Sequence, residues 1–259
     1  MKESTSIVVA GDGQMGLVMA SIALEAGAQK VAVWGPFTDQ VKTLAHTRVS
    51  DRLPGWRIPE DISFSDDPAI FANADIAVNA IPTQFIRPTW SRIAPHLESD
   101  VLVVSTAKGL EIETGKRPSE ILAEATEHSE LAEATISGPT IASELMQRLP
   151  AVMLAASPDP VQAARVHTVF GTDWLRIYES NDLVGVELAG ALKNVIALAA
   201  GMCDGLGLGF NAKSALLARG LAEMARFGVA AGAQRETFFG VAGVGDLATT
   251  CFSPDWRNR

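Results

Sequence analysis

Between residue 5 and about residue 180, short apolar runs alternate with helical stretches, and this alternation limits the chain more than any single residue does. The strand candidates are 6–10, 31–34, 76–80, 101–105, 135–137, 151–155 and 175–178. Most are unbroken runs of Val, Ile, Ala and Leu, as expected of strands covered on both faces. Strands and helices in strict alternation imply right-handed crossovers and a doubly wound, mainly parallel sheet. After residue 182 the pattern lengthens into helices at 185–202 and 211–231, with a third beginning near Thr237. Asn211 suits an N-cap, and Gly228 and Gly232 are places where that helix is expected to loosen or stop. The expected plan is an α/β domain, residues 1–181, followed by an all-helical domain, residues 182–259. No internal repeat or low-complexity stretch interrupts it.

The first strand runs into Gly11-Asp12-Gly13-Gln14-Met15-Gly16, a GxGxxG loop, and then a helical stretch at 17–26. In such a Rossmann-like turn Gly11 allows the tight bend, Gly13 lets the backbone approach a pyrophosphate, and Gly16 lets helix and sheet pack closely. The phosphates would meet free N–H groups at the positive end of the helix. A purely structural glycine turn is the alternative. The acidic residue that usually ends the second strand and holds a ribose hydroxyl is missing, since that strand ends Val33-Trp34-Gly35-Pro36. Asp39 comes only later, and no Arg follows closely for a 2′-phosphate, so NAD and NADP both remain open.

Composition narrows the classes of partner. With a formal charge of −9, the chain is not expected to bind nucleic acid or an anionic membrane, although a few local cations suffice for a small anion. Cys203 and Cys251 form no CxxC pair, which points to a reduced compartment, and the four histidines have no metal-ligand spacing. No cleavable leader is expected from the N-terminal residues, which run almost at once into an apolar strand. No apolar run reaches the roughly 18 residues of a membrane span without a polar interruption. A cytoplasmic protein with no membrane insertion and no metal is expected.

One cation stands out. Lys193 lies in the charge-poor run VELAGALKNVIA (186–197), and its helical neighbours Ala189, Gly190, Ala197 and Ala200 are small. Small neighbours let a backbone or ligand approach and thin out the water that keeps an amine charged. A lysine snorkelling to solvent is the plain alternative. Lys108 follows the C-terminal end of a parallel strand, where ligands of such sheets sit. The loop Ser137-Gly138-Pro139-Thr140 repeats that geometry. Asp246, in a glycine-rich setting, is a candidate partner for Lys193 or a helix cap. Arg257 suits a phosphate or is a solvated terminus.

These segments together resemble the NAD(P)-dependent glycerol-3-phosphate dehydrogenases: GDGQMG, DRLPG (51–55), AIPT (80–83), AKGLE, SGPTIASEL, VELAGALKNVIALAAGMCDGLGLG, GVAGVGDLATTC and the final RNR. GPxxAxEL followed by ExxGALKN is the most specific pair, and it argues against 3-hydroxyacid and ketopantoate reductases. The resemblance implies that Lys193 is the proton donor and acceptor. Lys108 would touch cofactor and substrate, and Gly138 and Thr140 would belong to the substrate loop. Ala142 would contact the cofactor, as would Gln14 and Met15 in the glycine loop. Asp246, Arg257, Asn258, Asn194 and Thr250 would line the substrate site, with Arg257 also near the dinucleotide. The implied reaction reduces dihydroxyacetone phosphate, a phosphorylated triose, to the sn-glycerol 3-phosphate used in phospholipid synthesis.

Three departures accompany the resemblance. Gln14 and Met15 replace the Ser and aromatic common in bacterial relatives. Pro254-Asp255-Trp256 precedes RNR in place of a small polar residue. Relatives also continue beyond the position of Arg259 with further helices, so apolar faces of the two long helices are expected to lack cover unless a partner subunit, such as a second copy in a homodimer, supplies it. A dinucleotide-binding pseudoenzyme is the alternative function.

Overall fold

The computed structural model describes residues 5–127 and 132–253. Its centre is an eight-stranded sheet in the order β3-β2-β1-β4-β5-β6-β7-β8. The strands are β1 (Ser6–Ala10), β2 (Lys30–Trp34), β3 (Ile62–Ser65), β4 (Ile76–Asn79), β5 (Leu102–Ser105), β6 (Ala132–Ser137), β7 (Ala151–Ala156) and β8 (Leu175–Ser180). All neighbours pair in parallel except β6 and β7. The doubly wound, mainly parallel sheet is therefore present.

Helices cover both faces, which is why the central strands carry apolar residues at consecutive positions. Ile7 and Val9 of β1 face one core with Leu17, Ile22, Val166 and Phe170. These belong to α1 (Gln14–Glu25) and α6 (Pro160–Phe170), and the short α5 (Ala142–Met146) packs on the same side. Val8 and Ala10 face the other core with Trp90 and Ile121, from α3 (Ile86–Ile93) and α4 (Pro118–Thr126). A further helix, α2 (Thr38–Thr47), leads from β2 towards β3. The sequence pattern missed β3 because its residues, Ile-Ser-Phe-Ser, form a short half-polar edge strand.

Beyond β8 the chain is helical: α7 (Leu183–Gly205), α8 (Gly209–Ala230) and α9 (Asp246–Phe252). Their own core joins Leu188, Ala189 and Ala197 to Met224, Phe238 and Leu247. Asp182 caps α7 through a bond from Gly185 N (2.9 Å) and also accepts from Gln234 N (2.9 Å) and Thr237 Oγ1 (2.5 Å). The start of α7 is thereby tied to the turn after α8.

Several expectations need correction. The first helix begins at Gln14, inside the glycine loop, so Gln14 and Met15 form its first turn. The second long helix starts at Gly209 with Leu208 as its cap, which leaves Asn211 exposed in its first turn. Gly228 does not loosen α8. It is buried there against Phe238, whose ring would lie 2.0 Å from any Cβ at that position. Gly232, at φ +93°, does lie just past the helix end. Thr237 falls in a 3₁₀ turn, and a short π-helical segment then leads into α9.

Helix α7 is long and apolar enough to cross a membrane by length and composition, yet 56% of its most apolar window is buried inside the protein. Its polar interruptions, Glu187 and Lys193, are buried in ion pairs. Val195, Leu198, Met202, Leu206 and Phe210 are exposed along α7, the following turn and the start of α8.

Candidate active site

The sheet reverses its winding direction between β1 and β4, and ligands of doubly wound sheets bind outside the strand ends at such a point. A cavity of about 860 Å³ opens there, lined by the glycine loop, the residues after β4 and the segment 140–143. Gly11 sits at φ +120°, and a Cβ on it would lie 2.8 Å from the Ala80 carbonyl oxygen. A Cβ on Gly16 would lie 1.8 Å from the Gly11 carbonyl oxygen. Neither position accepts a side chain without moving backbone. Gly13 leaves its backbone open towards the cavity, with the Arg52 guanidinium 3.2 Å from where a Cβ would stand. Gln14 and Met15 line the same space, and Gln14 Nε2 donates to the Arg52 carbonyl (3.1 Å). This bare backbone at a helix start, with a cation above it, fits the pyrophosphate of a dinucleotide.

A second assembly lies on the helical side. The Lys193 amine donates to Asp246 Oδ1 and to Thr250 Oγ1 (2.9 Å), and the Lys108 amine donates to Asp246 Oδ2 (2.6 Å) and to the Gly138 carbonyl (3.1 Å). One carboxylate thus bridges two amines. Lys193 and Asp246 are fully buried, whereas the Lys108 side chain keeps 20% of its exposure. Burial, reinforced by the nearby Lys108 charge, lowers the Lys193 amine to about 7, while Asp246 opposes the drop.

The local sequence explains how these groups meet. Gly190, one turn before Lys193, leaves the space in which the Lys108 stem lies, since a Cβ there would be 3.4 Å from Lys108 Cγ. The turn bearing Lys108 is pinned by buried polar groups at the strand ends. Trp90 Nε1 donates to Asn79 Oδ1 (2.8 Å), Asn79 Nδ2 donates to Ser105 Oγ (3.1 Å), and Ala107 N donates to the same oxygen (3.2 Å). Asp246 begins α9, where a negative charge is favoured, but its carboxylate serves the amines rather than a cap. Thr250, one turn later, bonds back to the Asp246 carbonyl (2.7 Å).

Lys108, Gly138, Lys193, Asp246 and Thr250 are thus in one cluster. Thr140 Oγ1 donates to the Gly138 carbonyl (3.2 Å) and also lines the cavity, as does Ala142, so the segment 138–142 links the two assemblies. Lys193, Lys108 and Asp246 do not themselves line the cavity. Asn194 is half-buried beside Lys193 on α7. Arg257 and Asn258 lie outside the described residues.

Sequence reasoning missed three features. Asp12, inside the glycine loop, is buried, and burial holds its carboxyl above the usual range. Arg52 stands over the loop, and only its place in the DRLPG segment marked it. Glu187, a turn and a half before Lys193, is buried and accepts from Ser119 N (2.8 Å), Ser119 Oγ (2.7 Å) and Arg117 Nη1 (2.7 Å). It fastens α7 to the start of α4, and burial pushes it up to about 7. A carboxylate at a core position of an apolar helix was the available signal for it.

Residues 6–163 match the NAD-dependent glycerol-3-phosphate dehydrogenase N-terminus, and residues 182–259 match the C-terminus of the same family. The chain belongs to that family. A glycerol-3-phosphate dehydrogenase [NAD(P)+] from Syntrophotalea carbinolica is 41% identical, with 98% of this chain and 77% of the relative covered. One from Streptomyces griseus is 40% identical over 100% and 77%. The crystal structure of glycerol-3-phosphate dehydrogenase from Coxiella burnetii superposes with a TM-score of 0.92 at 31% identity, over 98% of this chain and 78% of that one. A ketopantoate reductase from Ralstonia eutropha shares the fold alone, with a TM-score of 0.55 at 15% identity. The chain is an NAD(P)-dependent oxidoreductase whose N-terminal unit binds the dinucleotide, as the resemblance implied.

Proposed function

We propose that this chain transfers hydride between a nicotinamide coenzyme and C2 of glycerol 3-phosphate or dihydroxyacetone phosphate, with Lys193 carrying the proton. The observation behind this is a buried amine, held near neutral pKa, in a cluster joined to the dinucleotide cavity by the segment 138–142. The bound nicotinamide supplies the hydride chemistry. In oxidation, neutral Lys193 takes the hydroxyl proton; in reduction, the ammonium returns it to the ketone oxygen. A value of about 7 keeps both forms populated at neutral pH, where such transfer works best.

Asp246 holds the amines of Lys193 and Lys108 at fixed positions, and Thr250 fixes the Lys193 amine from a further side. Lys108, the more accessible of the two amines, steadies negative charge on the substrate oxygen. Gly138, Thr140 and Asn194 border the substrate, while Arg257 and Asn258 take its phosphate. Gly11, Gly13, Gln14, Met15, Gly16 and Ala142 hold the coenzyme. The boundary between the two units falls between residues 181 and 182, and the product serves phospholipid synthesis.

The test follows reduced-nicotinamide absorbance after dihydroxyacetone phosphate is added to the purified chain. Coenzyme consumption that needs the phosphorylated ketone is expected. Coenzyme binding with no consumption in either direction removes the catalytic assignment and leaves a binding protein.

A further inference from the structure

The end of β2 lacks the acid that usually holds the adenosine ribose, yet a carboxylate occupies its place. A Cβ built on Gly35, the first residue after β2, falls 2.4 Å from Asp12 Oδ2 and 2.7 Å from its Cγ. Asp12 therefore fills the space into which a side chain at that position would project. The loop is fixed there because Gly11 N donates to the Trp34 carbonyl (2.8 Å), so the relation between Asp12 and β2 is set by backbone. Asp12 is 7% exposed and lines the dinucleotide cavity together with Gly13, Pro36 and Phe37. Its Oδ2 has no hydrogen-bond partner among the described residues. A buried carboxylate oxygen without a donor is costly unless a ligand completes it.

We propose that Asp12 replaces the missing strand-end acid: its carboxylate accepts hydrogen bonds from the adenosine-ribose hydroxyls of the coenzyme and repels a 2′-phosphate, so the chain selects NADH over NADPH. This rests on the dinucleotide-dependent function proposed above. Two cations border the same cavity. Arg52 stands over Gly13, and its positive charge favours the ionised form of Asp12. Arg92 lines the cavity with its guanidinium over the Trp34 ring, 5.7 Å from the centroid, and is the competing group that the experiment must separate from Asp12.

The experiment titrates NADH and NADPH separately into the wild-type chain and into Asp12→Asn and Asp12→Ser, reading nicotinamide fluorescence, with circular dichroism to establish that each variant is folded. Wild type is expected to bind NADH at least about tenfold more tightly, the scale of one hydrogen bond to a charged acceptor. Both variants are expected to bring the two affinities within about threefold, chiefly by tightening NADPH. An unchanged ratio in folded variants overturns the assignment. So does a wild-type preference for NADPH that disappears in Arg92→Ala, which would give the site to Arg92. Should neither variant fold, competition on wild type alone decides: ADP-ribose must displace NADH better than its 2′-phosphorylated counterpart, and equal displacement overturns the proposal. Failure of wild type to bind either coenzyme removes the dinucleotide function itself, a result distinct from equal binding of both.

Discussion

At the glycine loop the protein presents backbone, and at the lysine cluster it presents side chains. The loop draws on six consecutive residues, Gly11 to Gly16, and its shape depends on side chains being absent, because a Cβ at either end would strike a carbonyl. The cluster joins residues 53 and 138 positions apart, and its function depends on which groups the fold brings together around Asp246. The two regions therefore fail differently. Under the proposed function, adding a methyl is expected to break the loop and leave the proton chemistry intact, whereas removing the Lys193 amine is expected to stop that chemistry and spare coenzyme binding.

The largest separation of the two should come from Lys193→Ala. Turnover is expected to fall by about 10²–10⁴-fold, the usual worth of a positioned proton carrier, while the coenzyme dissociation constant stays within about twofold. Stopped turnover with coenzyme affinity lost in parallel would mean that the cluster also supports the loop. Gly16→Ala is the converse test. The new Cβ would stand 1.8 Å from the Gly11 carbonyl oxygen, so the loop must shift, at a cost of about 1–3 kcal/mol. Coenzyme affinity should weaken about tenfold or more, and turnover at saturating coenzyme should change much less. Unaltered affinity would show that the phosphates do not rest on this turn.

The same contrast governs what the sequence revealed. The loop was legible because strand, glycines and helix are contiguous, and the strands were legible because burial on both faces demands unbroken apolar runs. Lys193 was conspicuous as a charge in an apolar helix. Its bond to Asp246 rested on residue type and the family resemblance, since no local pattern encodes a contact across 53 residues. Asp12 passed unnoticed because the pattern treats it as a variable position, and only the fold shows its carboxylate lying over Gly35. Likewise β3 was missed because Ser63 and Ser65 break the apolar run that marks the inner strands. The start of α8 was misplaced because Asn211 has a capping side chain, but the helix begins before it.

The smallest effect is the most discriminating, since it concerns how one member of the cluster tunes another. Burial is the main reason the Lys193 amine falls to about 7, and the charge of Lys108 is the next. Wild-type ketone reduction, which needs the ammonium, should decline as pH rises through about 7, and alcohol oxidation should rise over the same interval. In Lys108→Met the stem survives and the charge is gone, so both inflections should move to higher pH while burial keeps them below the ordinary lysine value of 10.5. The height of the profile will fall as well if Lys108 holds substrate, so the position of the inflection in kcat is the quantity to read. The stability sign follows from the same direction. Because the folded amine gives up its proton more readily than the unfolded one, it lowers stability most below about 7, and this cost fades as pH rises towards 10.5. Removing Lys108 should flatten that slope. An inflection that stays in place while the slope also persists would mean that Lys193 is tuned by burial alone, and that the second amine acts on the substrate rather than on the proton carrier.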